Sequence, residues 1–84
     1  MLLSPIQPVY PSIARAAGVQ GAVALQATIS AAGRIESLRV VSGPPMLRQA
    51  ASDAVQPARY RPYKLNGVPT EVQTTITVVF RLGE

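Results

Sequence analysis

The side chains that usually carry catalysis are sparse in this sequence. Its 84 residues include no cysteine and no histidine, which excludes disulfides, thiolate or imidazole metal ligands, and the common cysteine and histidine catalytic pairs. Serines are present, and Lys64 is the single lysine that could activate one; spacing alone does not exclude such a pair, but we do not expect it. The four acidic residues lie apart along the chain, so no paired carboxylates are available for acid–base chemistry. We therefore expect no enzymatic activity, no metal and no cofactor.

The chain carries a net positive charge, which could bind a partner. Lys and Arg outnumber Asp and Glu by eight to four, and all but one of these cations are Arg. Such an excess can attract an acidic partner, a phosphate group or an anionic membrane. It can also keep a surface solvated while the Arg stems cover apolar area. The cations are spread along the chain and form no run, which favours the solvated surface.

One stretch interleaves cations with aromatics: Arg59-Tyr60-Arg61-Pro62-Tyr63-Lys64. This composition could clamp and stack single-stranded nucleic acid. The alternative is that Tyr60 and Pro62 pack the loop onto the core while the cations point outward. Because the rest of the chain offers no second aromatic platform, we favour packing and expect no nucleic-acid partner.

The longest regular pattern is the stretch Glu71–Leu82, which lacks proline and glycine and is rich in β-branched residues. Its period of two predicts a strand with one face on the core and one face mostly toward water. The inward face holds Val72, Thr74, Ile76, Val78, Phe80 and Leu82, and the outward face holds Gln73, Thr75, Thr77, Val79 and Arg81. A terminal strand is often an edge strand, and a long edge is a template for another backbone.

The elements that must position this strand are short. Pro11 fits the first turn of a helix over Ser12–Ala17, with Ile13, Ala14 and Ala17 as its buried stripe and Gly18 as its C-cap. Alternation predicts strands over Gly21–Ser30 and Ile35–Ser42, joined by a turn with Gly33 at positive φ. Ile35 is out of phase with Leu38 and Val40, so it lies at a bulge or caps the turn.

A second helix is predicted over Met46–Val55, because Leu47, Ala50, Ala51, Ala54 and Val55 share one face. Ala58–Thr70 is the least regular segment, with Asn66-Gly67 as a strong turn signal. The fold class is therefore α+β, with two helices packed on one face of a three-stranded antiparallel sheet. A right-handed crossover through the second helix gives the strand order second, first, third, with the last strand at an edge.

The segment before the first helix, Ser4–Pro11, is expected to lead into this domain, and we refer to it as the lead-in. Pro5, Pro8 and Pro11 lie three apart, which suits an extended segment. We assign residues 1–8 to the end of a linker or to a fragment boundary, and residues 9–84 to the domain. No apolar stretch reaches transmembrane length. Tyr10-Pro11 is either a binding feature or an aromatic anchor that pins the lead-in to the domain.

The free edge of the last strand is the strongest functional feature. A short extended peptide that adds to it could form several backbone hydrogen bonds, each contributing roughly 0.5–1.5 kcal/mol net. Association and ordering oppose this by several kcal/mol, so a releasable binder of weak to moderate affinity is expected. Two alternatives remain: the edge pairs with a second copy in a homodimer, or the lead-in guards it.

Several short motifs, taken in order, resemble the TonB C-terminal domain family over nearly the whole chain from Pro8. They are Pro8–Arg15, Gly18–Val23, Gly33-Arg34-Ile35, Leu38–Gly43, Ala50–Ala54, Tyr60-Arg61-Pro62 with Asn66-Gly67, and Thr74–Phe80. Two segments depart from the family's pattern. Gln56-Pro57-Ala58 stands where an aromatic is usual, and Ala31-Ala32-Gly33 replaces a turn that is often Asp-rich.

The resemblance implies a concrete function. Proteins of this family are energy transducers of Gram-negative bacteria, anchored in the inner membrane by an N-terminal helix that works with an ExbB/ExbD-type complex. Their periplasmic C-terminal domain binds the TonB box of outer-membrane transporters by strand addition. The implied partner-binding residues are Tyr10, Pro11 and Arg15 together with Thr74, Thr75, Ile76, Thr77, Val78, Val79 and Phe80. The alternative is a TonB-like structural module that dimerises, or is attached to another membrane protein, without a transporter partner.

Overall fold

The computed structural model describes Ile6 and residues 8–82, so the predictions made for residues 1–5 lie outside the described residues. The elements in chain order are α1 (Ser12–Ala17), β1 (Gly21–Ile29), β2 (Ile35–Ser42), α2 (Pro45–Val55), β3 (Tyr63–Leu65), β4 (Val68–Thr70) and β5 (Val72–Phe80). Within the described residues, neither helix has the length and apolarity needed to cross a membrane.

The main sheet has the predicted topology. Its strand order is β2-β1-β5, and both pairings are antiparallel. The connection through α2 carries the chain past β2 and back to the far side of β1, so β5 lies at an edge. The register runs without a break from Gly21 opposite Phe80 to Ile29 opposite Val72. The α+β fold class and the edge position of the last strand are therefore confirmed.

The core lies between the sheet and the two helices. The β1 strand buries alternate residues from Val23 to Ile29, and α2 buries Leu47, Ala51 and Val55. Ala14 of α1 and the residues Val78 and Phe80 of β5 belong to the same cluster. The alanines at Ala14 and Ala51 allow the helices to approach closely, because they place little volume between backbones.

The buried stripe predicted for α1 is wrong at two of its three residues. Ala14 is fully buried, but Ile13 is 66% exposed and Ala17 is also exposed. A helix of six residues makes less than two turns, so one contact point is enough to seat it against α2. Ala14 is the one buried residue of α1, and the larger Ile13 is turned toward solvent.

The segment expected to be irregular contains a second, small sheet. Tyr63 pairs with Thr70 and Leu65 pairs with Val68, which makes β3 and β4 a two-stranded hairpin. Its turn is Asn66-Gly67, where φ is 53° and 80°, the pair of positive values typical of a type I′ turn. The turn was predicted from its residues. The strands were missed because nearly all their side chains are exposed and give no inward-outward alternation.

The out-of-phase Ile35 lies at a bulge, as one of the two predicted options. Thr28 pairs with Ser37, yet Ile29 pairs with Ile35, so Glu36 is an extra residue on β2. The extra residue shifts the alternation by one position and returns Ile35 to the core side. Gly33 in the preceding turn has the predicted positive φ, at 87°.

Candidate functional site

The outer edge of β5 is the feature on which the predicted binding site depends. Along its whole length the strand pairs with β1 on one side. On the other side, no strand of the described chain pairs with it. The predicted inward row is present, with Val78 and Phe80 buried and Val72, Thr74 and Ile76 half-buried. The strand is shorter than the predicted Glu71–Leu82 by one residue at its start and two at its end.

Two contacts show which backbone groups of β5 face outward. The N–H of Leu82 donates to Oε1 of Gln20, which precedes β1, at 2.9 Å. On the opposite side of β1, the carbonyl oxygen of Ala22 faces Gly43, which follows β2. In an antiparallel sheet the N–H and C=O of successive residues point to opposite sides. The backbone groups of Gln73, Thr75, Thr77 and Val79 are therefore directed away from β1, toward a possible added strand.

Tyr10 anchors the lead-in to the end of this strand. Its ring meets Phe80 edge to face, with ring centroids 5.4 Å apart and planes at 88°. The Tyr10 hydroxyl donates a hydrogen bond to the carbonyl oxygen of Val19. The guanidinium carbon of Arg15 lies 4.9 Å from the centroid of the Tyr10 ring, in a cation–π contact. Three of the predicted site residues, Tyr10, Arg15 and Phe80, thus form one cluster.

The two interpretations of Tyr10-Pro11 receive different support from this geometry. The hydrogen bond and ring contact of Tyr10 support the aromatic anchor. Pro11 lies elsewhere, in a groove of about 370 Å³ that it forms with Val9 and α2. Pro11 is therefore not brought together with the β5 edge, whereas the exposed Arg15 lies against the Tyr10 ring, which contacts Phe80 at the end of β5.

The lead-in also covers part of the edge. Ile6 and Pro8 line a cavity of about 180 Å³ with Thr77, Val78 and Val79. Ile6 is half-buried and packs against the core. The stretch from Val72 to Ile76 does not line this cavity. The described lead-in residues Ile6 and Pro8 therefore lie in the way of an added strand at the carboxyl-terminal half of β5.

In the interleaved stretch Arg59–Lys64, two residues pack inward as predicted. Tyr60 and Pro62 are half-buried, and Arg59 and Arg61 are exposed. Burial raises the pKa of the Tyr60 phenol above its ordinary value of 10.0. Tyr63 differs, because it is exposed on the hairpin. Among the described residues there is no group of three or more Asp and Glu side chains that could hold a metal ion.

Two features of the site had no signal in the sequence. The contact between Tyr10 and Phe80 joins residues from opposite ends of the chain, and no local sequence pattern predicts it. The sequence left open that the lead-in guards the β5 edge. It gave no sign that Ile6 and Pro8 would do so at Thr77–Val79. Both depend on the path of the lead-in across the finished sheet.

Comparison with known proteins identifies similar chains. Residues 6–82 match the family described as Gram-negative bacterial TonB protein C-terminal. The chain is 32% identical over 84 residues to Protein TonB of Vibrio cholerae serotype O1, covering 98% of this chain and 34% of that protein. It is 33% identical over 83 residues to Protein TonB of Klebsiella pneumoniae, covering 96% of this chain and 32% of that protein. The chain thus spans about one third of the length of these curated relatives.

Two solved structures share the fold. The solution NMR structure of the Pseudomonas aeruginosa TonB C-terminal domain superposes with a TM-score of 0.81 at 29% identity, covering 100% of this chain and 87% of that one. The TonB2 protein of Vibrio anguillarum gives a TM-score of 0.68 at 33% identity, covering 100% and 82% of the two chains. Both likenesses extend over the helices and the sheet that position the β5 edge.

Proposed function

Because this chain belongs to the family of Gram-negative bacterial TonB protein C-terminal domains, we propose that it binds the TonB box of outer-membrane transporters by strand addition to β5. The observation that carries this proposal is the outward direction of the Gln73, Thr75, Thr77 and Val79 backbone groups along an edge without a strand partner in the described chain. The function is binding and force transmission; the family's members are energy transducers and not enzymes.

The proposed binding site has two parts. The backbone of β5 from Val72 to Phe80, which includes Thr74, Thr75, Ile76, Thr77, Val78 and Val79, supplies the pairing edge. The cluster of Tyr10 and Arg15 contacts Phe80 at the end of β5 and presents a cation to the partner. Pro11 belongs to the site by family resemblance alone, since it lies in the groove with Val9 and α2. Several backbone hydrogen bonds at roughly 0.5–1.5 kcal/mol each, opposed by the cost of association, give a complex that can release.

The mechanism is mechanical. A pull along the strand direction loads the row of hydrogen bonds between β5 and the added strand together, so the pairing resists force better than its equilibrium affinity suggests. In the intact protein, the domain works in the periplasm. An N-terminal helix anchors it in the inner membrane with an ExbB/ExbD-type complex. The longer relatives support this arrangement, since the chain matches only about a third of each.

The domain of residues 9–84 carries this function, and residues 1–8 are the end of the linker that transmits the pull. A second candidate uses the same edge differently. A long edge strand accepts any backbone of suitable register, so a second copy of this chain could pair there as a homodimer and leave no site for a transporter.

Replacing Thr75 by proline tests strand addition. Proline removes one outward N–H, and an edge strand tolerates this on its unpaired side. Thr75→Pro is expected to weaken binding of a synthetic TonB-box peptide by more than tenfold in calorimetry, because a ladder bond is lost and the ring blocks the approaching strand. Thr75→Val is the matched control, since it keeps the N–H and the branched shape. Equal affinities of the proline and valine variants would contradict strand addition at this edge.

A further inference from the structure

The β3–β4 hairpin presents an apolar face that is more than half exposed. Residues opposite each other in a strand pair share a face, so Tyr63, Leu65 and Val68 lie on the same side. They are 54%, 55% and 62% exposed, respectively. An isolated two-stranded hairpin has marginal stability in water, and a contiguous exposed apolar face on such a hairpin is typical of a surface that binds a partner.

Cations extend the same face away from the hairpin tip. Burial alternates in the segment that leads into β3, where Tyr60 and Pro62 are half-buried while Arg59, Arg61 and Tyr63 are exposed. This alternation places Arg59 and Arg61 on the side of Tyr63 and Leu65. Hydrogen bonds within the described chain engage the side chains of Arg39 and Arg48, but none engages Arg59, Arg61 or Lys64. These cations are available to a partner.

The order of side chains along this face follows the polarity gradient of a membrane surface. Leu65 and Val68 lie at the tip, Tyr63 comes next, and Arg61 and Arg59 follow. Alternate residues of a strand are roughly 6.6 Å apart, so Tyr63 lies one such step behind Leu65, and Arg61 and Arg59 precede Tyr63 in the chain. Aliphatic side chains that insert shallowly, an aromatic at the interface and arginines at the phosphate level are the arrangement that anionic bilayers bind.

We propose that the β3–β4 hairpin docks the domain on an anionic lipid bilayer, with Leu65 and Val68 inserted and Arg59 and Arg61 contacting lipid phosphates. This surface is separate from the β5 edge, so the proposal does not depend on strand addition. Nucleic acid fits the face less well, because Tyr60 is turned inward and the tip offers aliphatic side chains in place of a stacking platform. Shallow insertion also keeps the polar backbone of the Asn66-Gly67 turn within reach of water.

Sedimentation with lipid vesicles tests the proposal. The chain is expected to bind vesicles of equal parts phosphatidylglycerol and phosphatidylcholine and to dissociate from them at high salt. It is expected not to bind vesicles of pure phosphatidylcholine. Leu65→Ser combined with Val68→Ser is expected to lower the partition coefficient about tenfold or more. Arg59→Gln combined with Arg61→Gln is expected to lower it by roughly fivefold per arginine.

Matched controls distinguish vesicle binding through the hairpin from non-specific vesicle binding. Val41 is an exposed valine on β2, and Arg81 is an exposed arginine beyond β5. Val41→Ser and Arg81→Gln are expected to leave vesicle binding unchanged, and circular dichroism checks that every variant is folded. The proposal is overturned if anionic vesicles are not bound, or if the controls lose as much binding as the hairpin variants. Binding of a polyglutamate peptide through Arg59 and Arg61 without vesicle binding would instead assign the face to an acidic protein.

Discussion

At the scale of single residues, Tyr10 links the lead-in to the body of the domain through a hydroxyl and a ring. The hydroxyl donates to the carbonyl of Val19, and the ring contacts Phe80 and Arg15. Its sequence context alone left open whether it binds a partner or anchors the fold. The contacts make it an anchor whose position also sets the place of Arg15 at the end of β5.

Replacing Tyr10 by phenylalanine isolates the hydroxyl. Tyr10→Phe is expected to lower the free energy of unfolding by about 1–2 kcal/mol, because it removes one hydrogen bond and leaves a partly buried carbonyl without its donor. Urea unfolding measures this change. Tyr63→Phe serves as the control, since Tyr63 is exposed and its hydroxyl has no hydrogen bond to the described chain. If both variants lose the same stability, the Val19 hydrogen bond does not contribute as described.

Gly33 and Gly18 both have positive φ, but only Gly33 is enclosed. A Cβ at Gly33 would lie 1.9 Å from the carbonyl oxygen of Tyr60, whereas one at Gly18 would meet nothing within 4 Å. Gly33→Ala is therefore expected to cost about 3 kcal/mol or more, from backbone strain plus displacement of the Tyr60 segment. Gly18→Ala should cost only the strain, about 1–2 kcal/mol. Urea unfolding compares the two, and equal losses would show that the Tyr60 segment yields freely.

At the scale of elements, the sequence predicts what is periodic and misses what depends on distant packing. The alternation of β1 and β5 and the helical spacing of α2 led to the correct elements and to the edge position of β5. The stripe of α1 failed at Ile13, because six residues carry too little pattern to show which side meets α2. The sequence did not predict the β3–β4 strands, because a hairpin without a buried face has no hydrophobic period to detect.

The candidate site divides in the same way. Its backbone edge follows from local alternation and a crossover rule, so it could be predicted. The cluster of Tyr10 with Phe80 could not, because it joins chain ends that only the folded sheet brings together. The assignment of Tyr10 and Arg15 to the site came from family resemblance, and Pro11 lies in a different groove.

The lead-in and an added strand compete for the same half of β5, because Ile6 lines a cavity with Thr77–Val79. Ile6→Ser is expected to weaken this cover and raise the affinity for a TonB-box peptide by roughly threefold to tenfold, since less free energy is needed to uncover the edge. Calorimetry measures the change. Val9→Ser is the matched control, because Val9 lies in the same segment but is 78% exposed. A loss of affinity in Ile6→Ser would show that the lead-in supports binding.

At the scale of the whole molecule, a small domain presents two surfaces with different chemistry. The β5 edge offers backbone groups to an extended partner, and the β3–β4 hairpin offers an apolar tip backed by arginines. Both project from one core that is built largely from β1 and α2. Under the two proposals, the β5 edge binds an extended peptide reversibly while the β3–β4 hairpin contacts a membrane.

Amide hydrogen exchange by NMR reports directly on the addition of a partner strand to the outer edge of β5. On addition of a TonB-box peptide, the amides of Gln73, Thr75 and Thr77 should exchange more slowly, because they gain a hydrogen-bond acceptor. The amides of Thr74 and Ile76 should change little, because they already donate to β1. Slowing without the peptide that grows with protein concentration would assign the edge to a homodimer. Peptide binding that leaves Gln73, Thr75 and Thr77 exchanging at their original rates would contradict the account.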